Sequence, residues 1–521
     1  MKKLAFSLVL GLSLSLAQPL SAQLRWGDQG NGTFINPVLN ADYSDPDIIR
    51  VEDKYYMVAS DFNHLGMQVL ESSDMVNWTL ISQIYDRMDY PGWDTNEHYG
   101  GGAWAPSIRW HDGRFYVYFC TPDEGLFMST AEDAHGPWEP LHLVKGVEKW
   151  EDPCPFWDDN GAAYLGRSQW GAGPIIIHRM SADGKQLLDD GVTVYTGPVA
   201  EGTKFLKYND YYYLVIPEGG VARGWQTVLR SKNIMGPYEK RVMLEQGSTD
   251  INGPHQGSLV DTPDGKWWFY HFQDIAPRGR VLHLEPVIWK DDWPLMGVDI
   301  DGNGIGEPVY VWKNPMPSVP SLPQTDDEFT GNEKYWVGQQ QRALGLQWQW
   351  NHNPVDNAWS LDERKGWLTL KALKAEAMKD SRNMLTQKTM GYVSEATTKI
   401  DCSQLKNDTY AGLSCIGRSW RGVGVCQVDG KLWFYVEDTE HRELVRELKR
   451  KVVYLQLQAD SDENEFTFLI SEDGRNFAPV GETFIMRSAN WKGARVGLYC
   501  YNTSTEAGQA QFDYFHYRIL K

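Results

Sequence analysis

Apolar and polar positions alternate with period two along most of the chain, and the alternating runs come in pairs. A short apolar run, a polar turn and an aromatic-rich run recur as DIIRVEDKYYMVAS (47–60), SIRWHDGRFYVYF (107–119), CPFWDDNGAAYLG (154–166), TKFLKYNDYYYLVI (203–216) and SLVDTPDGKWWFYHF (258–272). Each pair reads as a β-hairpin. The turns fall near Asp53, Gly113, Asn160, Asn209 and Asp264, about 50 residues apart, with no long amphipathic pattern between them. Five hairpins at one period, each needing neighbours to bury its faces, predict an all-β fold built on a five-bladed β-propeller. A sandwich with irregular spacing is the alternative. The stretch KNPMPSVPSLPQTDDEF (313–329) is punctuated by proline and reads as a linker. Beyond it, GWLTLKAL, YVSEATTKI, LWFYVED, VVYLQLQA, EFTFLIS and RVGLYCYN keep the same alternation and predict a β-sandwich. The charged run DTEHRELVRELKRK (438–451) reads as a solvated hairpin or a short helix.

Composition sharpens this picture in three places. The chain holds 521 residues, room for two sizeable domains, and 13% of them are aromatic, with 23 Trp and 26 Tyr. Such a surplus suits stacking on the apolar faces of sugar rings, although all-β cores are also rich in aromatics. A net charge of −19 argues against nucleic acid or an anionic membrane as partner, since phosphate binding needs a basic surface. The opening MKKLAFSLVLGLSLSLAQPLSAQ reads as a signal peptide over residues 1–22, too short and wrongly flanked for a membrane anchor, which predicts an exported protein, periplasmic or secreted, with no membrane insertion. The six cysteines are too scattered for a disulfide framework or a zinc site, and read as buried thiols or as one disulfide among the four C-terminal ones.

Asp45 and Asp47 bracket Pro46 at the entrance to the first apolar run, either as turn punctuation or as working groups. Counting back eight residues from the turns leads to Asp45, Ala105, Asp152, Glu201 and Gln256, with Trp104 and His255 alongside. In a propeller these positions converge at one mouth of the axis. Like charges gathered there cost stability, so three carboxylates in a shared register point to a site. They could hold a hard cation such as Ca²⁺, or a pair could act as acid and base across a glycosidic bond.

The segments NPVLNADYSDPDIIRVEDKYYM, EDPCPFWDDNGAAYL, AEGTKFLKYNDYYYLVIPEGG and GPHQGSLVDTPDGKWWFYH resemble glycoside hydrolase family 43, over about residues 34 to 318. The resemblance implies an inverting glycosidase in which Asp45 is the general base, Glu201 the general acid, and Asp152 tunes the pKa of Glu201 and orients it. It also implies an arginine, Arg280, on substrate hydroxyls, and a histidine, His255, that in some members helps hold a cation or water cluster. Trp104 stands where it could wall the sugar pocket or pack in the core. No cofactor is required for such hydrolysis, and a structural Ca²⁺ on the axis stays open. Residues 325–521 resemble the concanavalin A-like C-terminal domain of the same family, with a separate carbohydrate-binding role as the competing idea. The expected substrate is an oligosaccharide or polysaccharide of hemicellulose. ASDFNHLGMQVL and WNHNPVDNAWSL resemble arabinofuranosidase-type members, so α-L-arabinofuranosidase is the first expectation and exo-β-xylosidase, or both activities, the alternative. A non-catalytic sugar-binding propeller is the reading of another class.

Overall fold

The computed structural model describes residues 24–489 and 491–521; the signal reading over 1–22 lies outside them. Within those residues the chain forms strands and two short 3-10 turns, Asp356–Ala358 and Met378–Asp380, and no helix is long and apolar enough to cross a membrane. The paired runs fold as expected: Asp47–Val51 with Lys54–Val58, Trp104–His111 with Arg114–Thr121, Trp150–Trp157 with Ala163–Gln169, Lys204–Tyr208 with Tyr211–Glu218, and Leu259–Asp261 with Trp267–Ile275. Tyr208 pairs with Tyr211 across Asn209 and Asp210, both at positive φ (47° and 62°), a two-residue turn whose twist matches the strands. Each hairpin continues as an antiparallel meander of four strands.

One expectation needs correction. The propeller part contains six sheets, not five blades. The additional sheet joins Gly27–Asp28, Thr33–Ile35 and Val311–Lys313, uniting both ends of this part of the chain. Its strands are two or three residues long and come from distant segments, so no hairpin signal marks them.

Neighbouring sheets pack face to face through the alternating apolar positions. Val58 and Val69 meet Ile108, Val117 and Phe119, while Tyr213, Val215 and Val228 meet Phe269 and Trp293. Trp26, Trp78, Trp93, Trp138, Trp293 and Trp348 are fully buried, so much of the aromatic surplus fills the wedges between twisted sheets.

The second half is a sandwich of two large antiparallel sheets, containing the strands Leu368–Lys371, Val393–Asp401, Lys431–Asp438, Val452–Asp460, Glu465–Ser471 and Arg495–Asn502. The charged run supplies an exposed edge strand, Arg442–Glu447. All six cysteines are buried and unpaired. The two halves share strands in both directions: Tyr335–Val337 and Gln340–Arg342 extend the first propeller sheet, and His64–Leu65 of the propeller pairs with Gln349–Asn351 of the sandwich. Shared backbone ladders fix the sandwich against one mouth of the propeller.

Candidate active site

The innermost strands open on a common backbone turn. Asp45, Ala105, Asp152, Gly202 and Gln256 all have positive φ (51°, 42°, 56°, 64° and 23°). Two residues later the regular ladder runs on from Asp47, Ser107, Cys154, Lys204 and Ser258, resuming after a register shift in the repeats of Ala105 and Asp152. Four of the five turn residues carry a Cβ in a region that L-residues avoid, strain of the kind held at functional sites. This geometry revises the count from the turns: Gly202, not Glu201, is the equivalent of Asp45 and Asp152. Glu201 stands one place earlier, in register with Ser44, Trp104, Glu151 and His255.

The ladder-start residues tie the axis together. Asp47 is fully buried and accepts from Ser258 Oγ at 2.6 Å, Ile108 N at 2.8 Å and Arg109 Nη1 at 2.5 Å, with Lys204 Nζ 3.6 Å away. Arg109 reaches on to Cys154 Sγ at 2.8 Å. Burial would raise the Asp47 carboxyl, but Arg109 and Lys204 hold it below the usual range. Of the two aspartates around Pro46, Asp47 braces the propeller and Asp45 faces the cavity.

That cavity, about 320 Å³, is lined by Asp45, Trp104, Glu151, Asp152, Glu201, His255 and Arg280, together with Phe62, Trp170, Gln256 and Trp491. It thus brings together all six residues singled out from the sequence. Three carboxyl groups are held by side chains of a single sheet, the one containing Leu259–Asp261 and Gly279–Lys290. Arg280 Nη1 donates to Asp45, Gln256 Nε2 donates to Asp152 at 3.0 Å, and His255 Nε2 lies 3.0 Å from Glu201 Oε1. Asp45 also accepts from Ser60 Oγ at 2.7 Å and Ser44 Oγ at 3.0 Å, and Ser168 Oγ donates to Asp152. Burial, then the nearby Glu201 charge, raises the Asp152 carboxyl to about 6. Burial, then the charges of Asp152 and Glu201, raises Glu151 to about 9.

Metal-ligating atoms come close enough for one ion in two clusters among the described residues. Glu151, Asp152 and Glu201 lie within 4.8 Å of one another, as do the buried His271, His283 and Glu285. In the second cluster Glu285 already meets His271 Nε2 at 3.1 Å and accepts from Val309 N at 2.8 Å, and the His271 and His283 rings are stacked. His255 belongs to neither cluster.

Several lining residues escaped the sequence reading. Glu151 is masked by its neighbour Asp152. Gln256, reached by the count back from the turns, gains no role there because it is an uncharged residue within GPHQG. Trp491 comes from the sandwich, and only the tertiary fold brings it here. It meets Trp104 edge to face at 5.4 Å, its carbonyl accepts from Ser44 Oγ at 3.2 Å, and Trp104 meets Trp170 at 6.3 Å. A carboxylate cluster beside an aromatic wall, in a concave pocket, can grip one sugar ring and move protons at its anomeric bond.

Comparison with known proteins agrees with this geometry. The glycosyl hydrolases family 43 profile matches residues 34–294, and the beta xylosidase C-terminal concanavalin A-like domain matches residues 340–518. A putative beta-xylosidase of Xylanibacter ruminicola is 59% identical over 92% of this chain and 88% of its own length. A non-reducing end alpha-L-arabinofuranosidase of Bacteroides ovatus is 28% identical over 94% of this chain and 95% of its own. A bifunctional GH43-CE structure from Bacteroides eggerthii superposes with a TM-score of 0.81 at 30% identity, covering 93% of this chain and 63% of that longer one.

Proposed function

Because the chain belongs to the glycosyl hydrolases of family 43, we propose that it is an exo-acting, inverting β-xylosidase that removes terminal xylose from hemicellulose oligosaccharides. The observation that carries the choice of sugar is the 59% identity, nearly end to end, to a protein named a putative beta-xylosidase, against 28% to one named as an arabinofuranosidase. Arabinofuranosidase, the first expectation from sequence, becomes the second reading. Its physical basis also weakens. The segments that suggested it, around Asn63 and Asn351, hold the two halves together: Asn63 Nδ2 donates to Asn351 Oδ1 at 2.9 Å, and His352 N donates to Asn63 O at 2.8 Å.

In the proposed step Glu201 gives its proton to the glycosidic oxygen while Asp45 takes one from a water molecule. The water oxygen bonds to the anomeric carbon as the carbon–oxygen bond to the leaving sugar breaks, so configuration inverts. Arg280 and the two serines aim three donors at Asp45, the environment of a carboxylate that accepts. Asp152, gripped by Gln256 and Ser168, orients Glu201 and adds charge beside it. Trp104 and Trp491 form an aromatic wall that narrows the pocket toward a chain end. The test is kcat/KM on aryl β-D-xyloside against aryl α-L-arabinofuranoside, with Glu201→Gln assayed on xylobiose. A xyloside preference with turnover on xylobiose lost in the variant supports the reading. An arabinofuranoside preference replaces the sugar, and sugar binding without hydrolysis of either substrate replaces the enzyme by a lectin.

A further inference from the structure

The backbone register places Glu151 where the fourth hairpin repeat places Glu201. Each precedes the positive-φ residue of its own repeat, Asp152 and Gly202 (φ 56° and 64°), and each lines the cavity. The same position carries Trp104 and His255 in two other repeats, so this register supplies the side chains that look onto the bound sugar. The Glu151 carboxyl lies within 4.8 Å of both Asp152 and Glu201. Its three acidic companions are each engaged, Asp45 by Arg280, Asp152 by Gln256 and Ser168, and Glu201 by His255. Glu151 has no side-chain partner among the described residues and meets the backbone of Ala172. A half-buried carboxyl without a side-chain partner, facing a cavity, has spare hydrogen-bonding capacity directed at whatever fills that cavity.

We propose that Glu151 is a sugar-binding residue of this pocket, its carboxyl hydrogen-bonded to a hydroxyl of the bound sugar. The assignment rests on the glycosidase reading above and gives it a fourth carboxyl with a role separate from proton transfer. Burial and the charges of Asp152 and Asp45 favour the protonated form at neutral pH. A neutral carboxyl also makes chemical sense of the site, because a further anion beside Asp152 and Asp45 would be repelled by them, whereas an O–H gives a sugar hydroxyl its donor.

The test compares Glu151→Gln, which keeps a donor at this place, with Glu151→Ala. Xylose binding is measured by calorimetry and kcat and KM on aryl β-D-xyloside, with arabinose and the arabinofuranoside in parallel. Loss of one neutral hydrogen bond predicts that Glu151→Ala weakens sugar binding and raises KM by about three- to tenfold, with kcat much less changed. Glu151→Gln stays within about twofold of wild type on the same scale. If the alanine variant does not fold, Glu151→Leu supplies similar bulk without a donor. The assignment is overturned if the donor-free variant binds sugar as well as wild type, or if the glutamine variant is impaired as much as the alanine one. A wild type that hydrolyses neither glycoside defeats the glycosidase reading instead, and the calorimetric comparison still decides Glu151.

Discussion

Asp45 and Asp47 stand two residues apart and carry the same side chain, yet their surroundings predict opposite consequences for the same substitution. Asp47→Asn keeps the shape but removes the charge facing Arg109 at 2.5 Å and Lys204 at 3.6 Å, in an axis where Lys204 is 3% exposed. Breaking a buried ion pair from one side costs about 3–5 kcal/mol, because the partner charge is left unpaired. At about 2 °C per kcal/mol for a large domain, Tm should fall by roughly 6–10 °C. Asp45 is different. It has one cation, Arg280, but shares its cavity with the Asp152 carboxylate, so losing its charge relieves repulsion while it frees the arginine. Asp45→Asn should therefore keep Tm within about 2 °C on that scale and lower kcat by about a thousandfold, the range for a lost general base. The Asp47 effect also carries a pH signature. A carboxyl held below its unfolded pKa stabilises fully above that value and loses its contribution as pH falls through the folded one. The Tm gap between wild type and Asp47→Asn should therefore be full at neutral pH and close below about pH 4. Scanning calorimetry across pH, with xyloside turnover on the same samples, reads both effects. A Tm unchanged in Asp47→Asn, or lowered as much in Asp45→Asn, would refute the division of labour.

Three further outcomes follow from the same geometry. Trp491→Ala removes the wall contributed by the sandwich and should raise KM about tenfold, the scale of one aromatic anchor, with little change in Tm; steady-state kinetics beside calorimetry checks it. Glu151→Gln should raise Tm by more at pH 9 than at pH 5. A carboxyl lifted to about 9 keeps its proton in the folded protein while the unfolded chain releases it near pH 4.5, so wild-type stability is lost as pH climbs between those values. Chelation with EDTA should leave xyloside turnover within about twofold of untreated enzyme, because the three acids of the proposed step are held by protein donors and glycoside hydrolysis by a carboxyl pair needs no Lewis acid.

Period-two alternation made the hairpins legible, because a strand half-buried in a sheet must alternate and its turn must be polar. Both segments flanking Asn209 and all six quoted strands of the sandwich appear where the pattern places them. What the pattern could not carry is anything assembled from distant pieces. The sheet of Gly27–Asp28, Thr33–Ile35 and Val311–Lys313 has too few residues to show a period and joins segments far apart in the chain. The eight-residue count brought out Asp45 and Asp152 but placed Glu201 one step from its structural equivalent, since a fixed offset from a turn ignores changes of turn length between repeats. Trp491 and the strand pairing at His64–Leu65 arise from docking of the two halves, for which local sequence holds no signal. The stretches around Asn63 and Asn351 do carry unusual polar residues, and those residues serve the junction rather than sugar choice.

The central claim, that Asp45 and Glu201 act across a β-xylosidic bond with a water between, is tested most directly by the configuration of the product at the moment of release. Proton NMR of aryl β-D-xyloside hydrolysis, which releases a single xylose, recorded before mutarotation equilibrates the anomers, shows it in one time course. The account predicts that the newly formed anomer is α-xylose, with the β-anomer growing in later. β-Xylose appearing first would mean that configuration is retained, and would contradict the roles assigned to both carboxyl groups.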